Sequence, residues 1–369
     1  KSMADRILVC TAWPYANGPL HLGHAAGCYL PADIFARYHR LKGNEVLMVS
    51  GSDSHGTPVT LRAEAEGTSP KTLVDKYHAS FLDSWERLGI TYDLFTTTMT
   101  DMHRETAHDL IERLNQKGYI YSDFMKVAFS PTFQRYLPDR YVEGTCPYCS
   151  QAKARGDQCD QCGRTLDPID LIKPVYRANG KVYPVEIRDA QHLFLKLSAF
   201  QEQLSDWVLA QKHWRINVRN LTQAYLREGL RDRAISRDLE WGIPLPIQGF
   251  EDKRIYVWFE AVMGYLSASK EWAANRGTPE SWKPFWENPD TRQYYFMGKD
   301  NIVFHSIIWP AMLLGYGGLN IPYDIPANEW LTLEGQKLST SRNWAVWVND
   351  YLDQFEHDTL RYVLAANMA

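Results

Sequence analysis

Two histidines stand three residues apart in the segment Pro14-Tyr-Ala-Asn-Gly-Pro-Leu-His21-Leu-Gly-His24, directly after the first apolar run of the chain. At the expected start of a helix, this spacing points both imidazoles the same way, and the free backbone N–H groups there favour an anion. Gly23 lets a phosphate approach the backbone. A pair of surface histidines in a turn is the alternative, since short patterns arise by chance. The position after a strand favours His21, Gly23 and His24 as ligands of a triphosphate.

A second polar segment, Glu334-Gly-Gln-Lys337-Leu-Ser-Thr-Ser341, combines a turn, a lysine and three hydroxyl groups. Lysine is a compact point charge that suits phosphate, and hydroxyls donate hydrogen bonds to phosphate oxygens. Alone, this segment is typical of an ordinary polar loop. Phosphate binding by Lys337 and Ser339 is therefore implied only by a family resemblance that the two segments carry together.

Four of the six cysteines form two tight pairs, Cys146-Pro-Tyr-Cys149 and Cys159-Asp-Gln-Cys162, with nine residues between the pairs. This spacing is typical of a zinc site in a reducing compartment rather than of disulfides. Four thiolates close a tetrahedral site, so the zinc would be structural rather than catalytic. Unmetallated thiols are the alternative. We expect one structural zinc per chain and a cytoplasmic location.

Hydrophobic patterning predicts the elements that must position these residues. The apolar runs 6–11 and 45–50 are typical of buried strands, and each precedes a helical pattern. Strand and helix in alternation indicate a parallel α/β sheet. Pro31 should kink or displace the first helix. Further helices are predicted over 58–66, 70–88 and 100–117.

The pattern changes near Gly118. Residues 119–145 alternate aromatic and polar side chains, as β-strands do, and 198–232 has a helical pattern. Strands return at 254–258 and 293–297, so we predict an α/β domain that is split by an insertion. The predicted divisions are 1–117 for the first half of the catalytic domain, 118–232 for the insertion with the zinc knuckles, 233–322 for the second half, and 323–369 for the Lys337 loop and the start of a helical region with a helix near 350–366.

Composition narrows the class of function. The 369 residues carry 40 basic and 44 acidic side chains, a net charge of −4, whereas a small nucleic-acid module would be basic. The mean hydropathy is −0.40, and no apolar run approaches the ~18 residues that span a bilayer, so we expect no membrane association. We see no secretory signal. One basic stretch could contact an RNA backbone, but its interspersed acids favour a solvated helix face. Its members are Lys212, Arg215, Arg219, Arg227, Arg231, Arg233 and Arg237.

Together, the two polar segments resemble the class I aminoacyl-tRNA synthetases, which carry a HIGH motif after the first strand and a KMSKS loop near the end of the catalytic core. Here the motifs are His21-Leu-Gly-His24 and Lys337-Leu-Ser-Thr-Ser341. Within the class, the chain is similar to the methionyl-tRNA synthetase family from Ile7 to Ala369. The matching stretches are 12–24, 51–58, 137–140, 256–261, 297–300 and 304–310.

The resemblance implies a Rossmann-type sheet and the activity of a methionine–tRNA ligase. Such an enzyme activates L-methionine with Mg-ATP to methionyl-adenylate and pyrophosphate, and then transfers methionine to the 3′-terminal ribose of tRNA(Met). Catalysis would rest on His21, His24 and Lys337. By the same resemblance, the remaining nucleotide contacts would be Gly298 along the nucleotide, Asp300 at the ribose and the backbone of Leu331 at the adenine.

The methionine site is also implied by the resemblance. Asp53 would hold the α-ammonium, and a polarizable thioether is well served by aromatic walls. Three departures from the family pattern stand out: Trp13 and Val262 replace the usual Leu and Pro, and Thr340 replaces the second lysine of the loop. The side chain of methionine would be enclosed by Trp13, Tyr15, Trp258, Ala261, Val262, Tyr265, Asn301 and His305.

Two other functions stay open. A short paralogue could form an aminoacyl-adenylate for an acceptor other than tRNA, and a non-catalytic zinc-knuckle protein could bind RNA or a partner. An intact triphosphate site disfavours the second. The residues after Ser341 are too few for the anticodon-reading helical bundle that the resemblance implies. We therefore expect a shortened form of a longer protein, with a naturally short paralogue as the second choice, and we expect a monomer.

Overall fold

The structure, a computed structural model, describes residues 4–156, 159, 161–162, 166–178, 180–340 and 343–367. The strands are β1 Arg6–Thr11, β2 Glu45–Ser52, β3 Leu94–Thr97, β4 Ile120–Ser130, β5 Arg135–Tyr136, β6 Val142–Thr145, β7 Ala154–Arg155, β8 Ile172–Ala178, β9 Lys181–Pro184, β10 Glu186–Leu195, β11 Arg233–Ala234, β12 Ser236–Arg237, β13 Arg254–Ile255, β14 Arg292–Gly298, β15 Ala327–Asn328, β16 Thr332–Leu333 and β17 Gln336–Lys337. The helices are α1 Leu22–His24, α2 Leu30–Leu41, α3 Thr57–Glu66, α4 Pro70–Leu88, α5 Asp101–Gln116, α6 Gln201–Ala210, α7 Ile216–Arg227, α8 Val257–Asn275, α9 Lys283–Glu287, α10 Trp309–Tyr316, α11 Val348–Leu352 and α12 His357–Ala366.

The central sheet is parallel, with strand order β15-β14-β1-β2-β3. Side chains alternate between its faces. Leu8 and Cys10 lie in a core with α5, α8 and α10. Ile7 and Val9 lie in a second core with α2, α3 and α4. Because both faces are covered by helices, β1 is apolar over residues 7–10 on both sides, which is typical of a parallel sheet.

The predicted α/β fold with a parallel sheet is confirmed. Strands β1, β2 and β14 form where the apolar runs predict them, and α4 spans the predicted residues 70–88. The edge strand β3 was not predicted. It contributes four residues, which is too short for a period-2 pattern to stand out.

The expected effect of Pro31 on the first helix is also confirmed. After α1, the chain makes a π-helical turn over Ala25–Tyr29, and α2 then starts with Pro31 in its first turn. Pro31 has no N–H to donate to the carbonyl of Gly27, four residues earlier, and the side-chain amide of Asn328 donates to that carbonyl over 2.9 Å instead.

Two sequence predictions are wrong in detail. The strand expected over 254–258 is only two residues long, and it pairs antiparallel with β12 while α8 starts at Val257. A short apolar run cannot be told from a buried helix by periodicity alone. The single helix expected over 350–366 is divided into α11 and α12, because the residues 353–356 leave the helix.

The residues between α5 and α8 form two four-stranded antiparallel sheets, ordered β11-β10-β4-β5 and β7-β6-β8-β9, and the antiparallel pair of β12 and β13. The β-character predicted for 119–145 is therefore confirmed, and the helical stretch 198–232 contains α6 and α7 with a break between them. In the part of the chain that the structure describes, no helix is both long and apolar enough to cross a membrane.

The basic stretch is not one helix face. Arg219 and Arg227 lie in α7, but Arg215 precedes the helix and donates to Oδ1 of Asn328 over 2.5 Å. Arg237 lies in β12 and pairs with Asp139 at 3.4 Å. The solvated-face interpretation therefore fails for the stretch as a whole, because an alternating charge pattern does not show where a helix ends.

Candidate active site

A cleft of about 2010 Å³ runs along the carboxyl ends of the central strands and reaches the inserted sheets. Ligands of open α/β sheets bind at this edge. Every predicted site residue outside the cysteine pairs lines this cleft. They are Trp13, Tyr15, His21, Gly23, His24, Asp53, Trp258, Ala261, Val262, Tyr265, Gly298, Asp300, Asn301, His305, Leu331, Lys337 and Ser339.

The two histidines of the first motif stack on one another. The ring centroids of His21 and His24 are 3.6 Å apart, with 11° between the ring planes. Nδ1 of each ring accepts the backbone N–H of the other residue over 3.2 Å. A ring nitrogen that accepts a hydrogen bond carries no proton, so each neutral ring carries its proton on Nε2. The predicted common direction of the two side chains is confirmed.

Both histidines are neutral at pH 7. Burial lowers the pKa of His21 to about 4, with a further lowering from Lys337 and an opposing hydrogen bond from its own backbone. Burial also lowers the pKa of His24 well below its usual value, and the neighbouring His21 and Lys337 act in the same direction. The pair therefore offers uncharged N–H donors rather than two cations.

The histidine turn is held from both sides. Gly23 leaves room for the ring of His21, because a Cβ there would lie 3.0 Å from that ring and 3.2 Å from Leu338 Cδ1. A bridge from the other end of the chain brackets the motif: the N–H of Leu22 donates to Val346 and the N–H of Val348 donates to the carbonyl of residue 20, each over 2.9 Å. Hydrogen bonds thus join the histidine turn to the segment 346–348, and Leu338 of the lysine loop lies beside it.

Lys337 lies in the hairpin of β16 and β17 and reaches across the cleft. Its Nζ lies 3.0 Å from Oδ2 of Asp300 and 3.8 Å from the ring centroid of Trp330. Ser339 pairs through its backbone with Trp344, at 2.8 and 3.1 Å. Ser341, the last residue of the predicted motif, lies outside the described residues.

Gly298 and Leu331, which are also predicted to contact the nucleotide, differ in their surroundings. Gly298 ends β14, and a Cβ there would meet no described atom within 4 Å. Leu331 lies between Trp330 and β16, and it packs against the second core. Thr340 approaches the first motif closely, since a Cβ on Gly18 would lie 2.6 Å from its Cγ2.

Asp53 is a buried carboxylate at the carboxyl end of β2. Its side chain belongs to a residue that is 2% exposed, and its Oδ1 has no hydrogen-bond partner among the described residues. Burial raises the pKa of Asp53 well above its usual value, and the nearby Glu260 raises it further. A buried acceptor of this kind is costly unless a donor or cation pairs with it.

Tyr265 and His305 form an uncharged wall of the cleft that Asp53 also lines. The Tyr265 hydroxyl lies 2.8 Å from Nε2 of His305, whose Nδ1 lies 2.8 Å from the carbonyl oxygen of Asn301. Nδ1–H must donate to that carbonyl, so the tyrosine hydroxyl donates to Nε2. Burial lowers the pKa of His305 to about 4, against the effect of the hydrogen bond to Asn301.

Trp258, Tyr15, Ala261 and Val262 extend the uncharged wall, which is called the aromatic wall below. The Trp258 indole N–H donates to the Tyr15 hydroxyl, and Tyr15 is joined to Asp53 by a backbone bridge. Burial, followed by Asp53, raises the pKa of Tyr15, so the phenol stays neutral. Ala261 and the buried Val262 continue the wall on α8.

Trp13 takes the space that two glycines leave open. A Cβ on Gly264 would lie 2.6 Å from Cζ2 of Trp13, and a Cβ on Gly51 would collide with Cζ3 of the same ring. The ring lies near Tyr265, with centroids 6.4 Å apart. The departure from the family pattern at this position is thus accommodated by small neighbours, which fix the ring at the edge of the pocket.

The four cysteines of the two pairs meet as the zinc prediction requires. Their sulfurs all lie within 4.8 Å of one another, with Cys146 and Cys162 3.9 Å apart and Cys149 and Cys159 3.6 Å apart. A Zn–S distance of about 2.3 Å in a tetrahedron places sulfurs about 3.8 Å apart. The donor set and spacing therefore fit one zinc ion, and Cys162 also borders the cleft.

A buried charged group beside the cleft was not identified from the sequence. Glu260, next to the cleft-lining Ala261 on α8, is fully buried and contacts Nδ1 of His55 at 2.5 Å and Nε2 of His103 at 3.4 Å. Burial alone would raise the pKa of Glu260, but the two histidines lower it to about 2. His55 and Glu260 are 205 residues apart, so no local pattern could have revealed the contact.

A second unpredicted group lies between the insertion and the sheet. Arg237 pairs with Asp139 and stacks 4.0 Å from the ring centroid of Tyr256, and all three residues line the cleft. The sequence offered the basic stretch that contains Arg237 and the family-like stretches 137–140 and 256–261, but none of these patterns indicated that the three residues meet.

A parallel sheet that carries such a site at its carboxyl edge defines a nucleotide-binding α/β protein. The model of the family "tRNA synthetases class I (M)" matches residues 7–369. The chain therefore belongs to this family of class I tRNA synthetases.

Named relatives agree with this assignment. The chain is 58% identical over 366 residues to a methionine–tRNA ligase of Dehalococcoides mccartyi, covering 99% of this chain and 66% of that protein. It is 55% identical over 374 residues to a methionine–tRNA ligase of Roseiflexus castenholzii, covering 99% and 63%. The chain thus spans about two thirds of the length of these curated relatives.

A solved structure is also similar. It is the Mycobacterium tuberculosis methionyl-tRNA synthetase bound by methionyl-adenylate, with a TM-score of 0.75 and 26% identity. The match covers 98% of this chain and 64% of that one. The class I synthetase fold that the sequence motifs predict is therefore confirmed.

Proposed function

We propose that this protein activates L-methionine with ATP and transfers it to the 3′-terminal ribose of tRNA(Met). One observation carries the proposal: the cleft that holds the neutral histidine pair and Lys337 also holds Asp53, a buried carboxylate with one oxygen that no described residue pairs with, beside an uncharged aromatic wall. Methionine brings an ammonium and an apolar side chain, and ATP brings a triphosphate, so each of these three features has a matching substrate group. The relatives' names support methionine as the amino acid.

In the first step, the methionine carboxylate attacks the α-phosphorus of ATP and pyrophosphate leaves. The carboxylate is ionised at pH 7, so the step needs no general base. The enzyme must align the two substrates and stabilise the growing phosphate charge. The Nε2–H groups of His21 and His24 donate to phosphate oxygens, Lys337 supplies positive charge, and Mg²⁺ arrives with the nucleotide.

Each substrate has a separate set of contacts. Asp53 pairs with the α-ammonium, which relieves the cost of its own burial. The thioether lies against Trp13, Tyr15, Trp258, Ala261, Val262, Tyr265, Asn301 and His305, where uncharged side chains suit a polarizable chain. On the nucleotide side, Asp300 holds the ribose, the backbone of Leu331 faces the adenine, and Gly298 and Ser339 complete the set with Gly23.

The second step places a ribose hydroxyl of tRNA at the adenylate. The cleft continues from the sheet to the inserted strands and the border of the cysteine cluster, which leaves room for an RNA end. The relatives named as methionine–tRNA ligases support tRNA over the other acceptors that a paralogue would use.

Further features belong to the same proposal. One structural zinc is held by Cys146, Cys149, Cys159 and Cys162, and thiols of this kind persist in a reducing compartment such as the cytoplasm. We retain the divisions at residues 117, 232 and 322, and a monomeric state. Limited proteolysis checks the divisions, and light scattering checks the monomer.

Methionine-dependent ATP–pyrophosphate exchange tests the activation step, measured over all twenty amino acids without tRNA. We expect exchange with methionine and a background rate with leucine or valine. Homocysteine should be rejected less strongly, because one methyl group is worth only ~1–3 kcal/mol in an apolar pocket. Equal exchange with leucine contradicts the pocket assignment. Charging of tRNA(Met), with a tRNA of other specificity as control, separates a tRNA ligase from a paralogue.

A further inference from the structure

Trp330 lies at the edge of the cleft in contact with three charged residues. Its ring centroid is 3.8 Å from Nζ of Lys337 and 4.0 Å from Nζ of Lys299. Its indole N–H donates to Oδ2 of Asp300 over 2.9 Å, and Lys337 donates to the same oxygen over 3.0 Å. Trp330, Lys337 and Asp300 therefore form a closed triangle of contacts.

The triangle restrains Lys337 more than its ion pair alone could. The side chains of Lys337 and Asp300 are 39% and 41% exposed, and ion pairs at such exposure are weak. A ring face adds a cation–π contact that does not depend on the carboxylate. Lys299 has its own partner, since its Nζ lies 2.5 Å from Oε2 of Glu329.

The two partners of Lys337, the Asp300 carboxylate and the Trp330 ring, differ in whether substrate groups compete with the lysine for them. Asp300 is the carboxylate that is expected to bind the ribose of ATP, so hydroxyl groups of the substrate compete with the lysine there. The indole face binds cations, and ribose hydroxyls do not compete for it. Trp330 therefore supplies a contact that persists when the ribose occupies Asp300.

We propose that Trp330 is a positioning residue for Lys337. Its ring keeps the ammonium beside the nucleotide site, and its N–H orients the carboxylate of Asp300. This inference rests on the proposed function, because it concerns how fast Lys337 acts on the phosphates of ATP.

Two variants test the roles of the ring and the N–H in methionine-dependent exchange. Trp330→Leu removes both, and it should lower kcat about three- to tenfold, the effect of losing one cation–π contact. The KM for methionine should stay within about twofold. Trp330→Phe retains a ring face and should recover most of the loss. The control is Trp282→Leu, which removes a Lys–Trp contact of 5.2 Å, with Lys270, outside the residues that line the cleft.

A double-mutant cycle decides whether Trp330 acts through Lys337. In the Lys337→Ala background, Trp330→Leu should cause no further loss of kcat. Losses that multiply, or a Trp330→Leu enzyme with unchanged kcat, overturn the inference.

A measurement without turnover separates this inference from the proposed function. The acetylation rate of the Lys337 amine by a small anhydride, read by peptide mass spectrometry, should rise about threefold in Trp330→Leu. It should not change in Trp282→Leu. If the acetylation rate of Lys337 is unchanged in Trp330→Leu, the positioning role is overturned, even if the unmutated protein shows no exchange. If the acetylation rate rises in Trp330→Leu but the unmutated protein shows no exchange, only the proposed function is overturned.

Discussion

Gly264 faces the indole of Trp13 so closely that a Cβ on the glycine would lie 2.6 Å from Cζ2 of the ring. Gly264→Ala should therefore push the ring into the pocket and raise the KM for methionine severalfold. The KM for ATP should not change. In a Trp13→Leu background the clash is absent, so Gly264→Ala should have little further effect. If the alanine is equally harmful in both backgrounds, the defect lies in α8 rather than in the ring.

Asp53→Asn should weaken methionine binding and leave ATP binding intact. The variant leaves the ammonium without a charged partner in a desolvated pocket, a loss of about 2–5 kcal/mol. Steady-state exchange measures both KM values, and Asp75→Asn, on an exposed carboxylate of α4, is the matched control. A normal KM for methionine in Asp53→Asn places the ammonium elsewhere.

The methionine KM should depend on pH through Asp53. Burial raises the pKa of this carboxyl, so protons neutralise it at a higher pH than an ordinary aspartate, and the KM should rise as the pH falls. Bound methionine supplies a cation that lowers the same pKa, so kcat at saturation should decline only at lower pH. The pH profiles of kcat/KM and kcat for methionine check this: as the pH falls, the decline in kcat/KM should begin at a higher pH than the decline in kcat. Asp53→Asn should lack the limb in kcat/KM.

His21→Ala should slow adenylate formation by about 10²–10³-fold with little change in methionine KM, because the lost N–H acts on charge that develops in the transition state. Since the pKa of His21 is about 4, the ring is already neutral above pH 6. The rate should then show no histidine titration between pH 6 and 8. His39→Ala, on α2 outside the cleft lining, is the control. An acid limb near pH 6.5 that disappears in His21→Ala contradicts the neutral pair.

Purified protein should contain about one zinc per chain, and Cys146→Ser should remove it. Because metal binding stabilises the fold that presents its ligands, the variant should lower the thermal midpoint of the inserted region. Methionine-dependent exchange should fall less. Metal analysis and thermal unfolding measure these effects, with Cys10→Ala, outside the sulfur cluster, as the control. Four freely titratable thiols without metal rule out the site.

Local patterns in the sequence determined much of this protein. The spacing of His21 and His24 determines a shared direction, the two CxxC pairs determine a ligand set, and apolar periodicity determines β1, β2, β14 and α4. These features depend on residues within a few positions of one another, where helix and strand periods apply. Helix and strand boundaries in short apolar runs, such as 254–258, could not be predicted, because the helix period and the strand period both fit so few residues.

Only the tertiary structure decided the chemistry between distant residues. Burial and the reciprocal backbone bonds decide that His21 and His24 are neutral donors. The return of the chain brings Glu260 to His55 and Lys337 to Asp300. A pKa and a tautomer depend on desolvation and on contacts across the fold, and the spacing of residues along the chain determines neither of them.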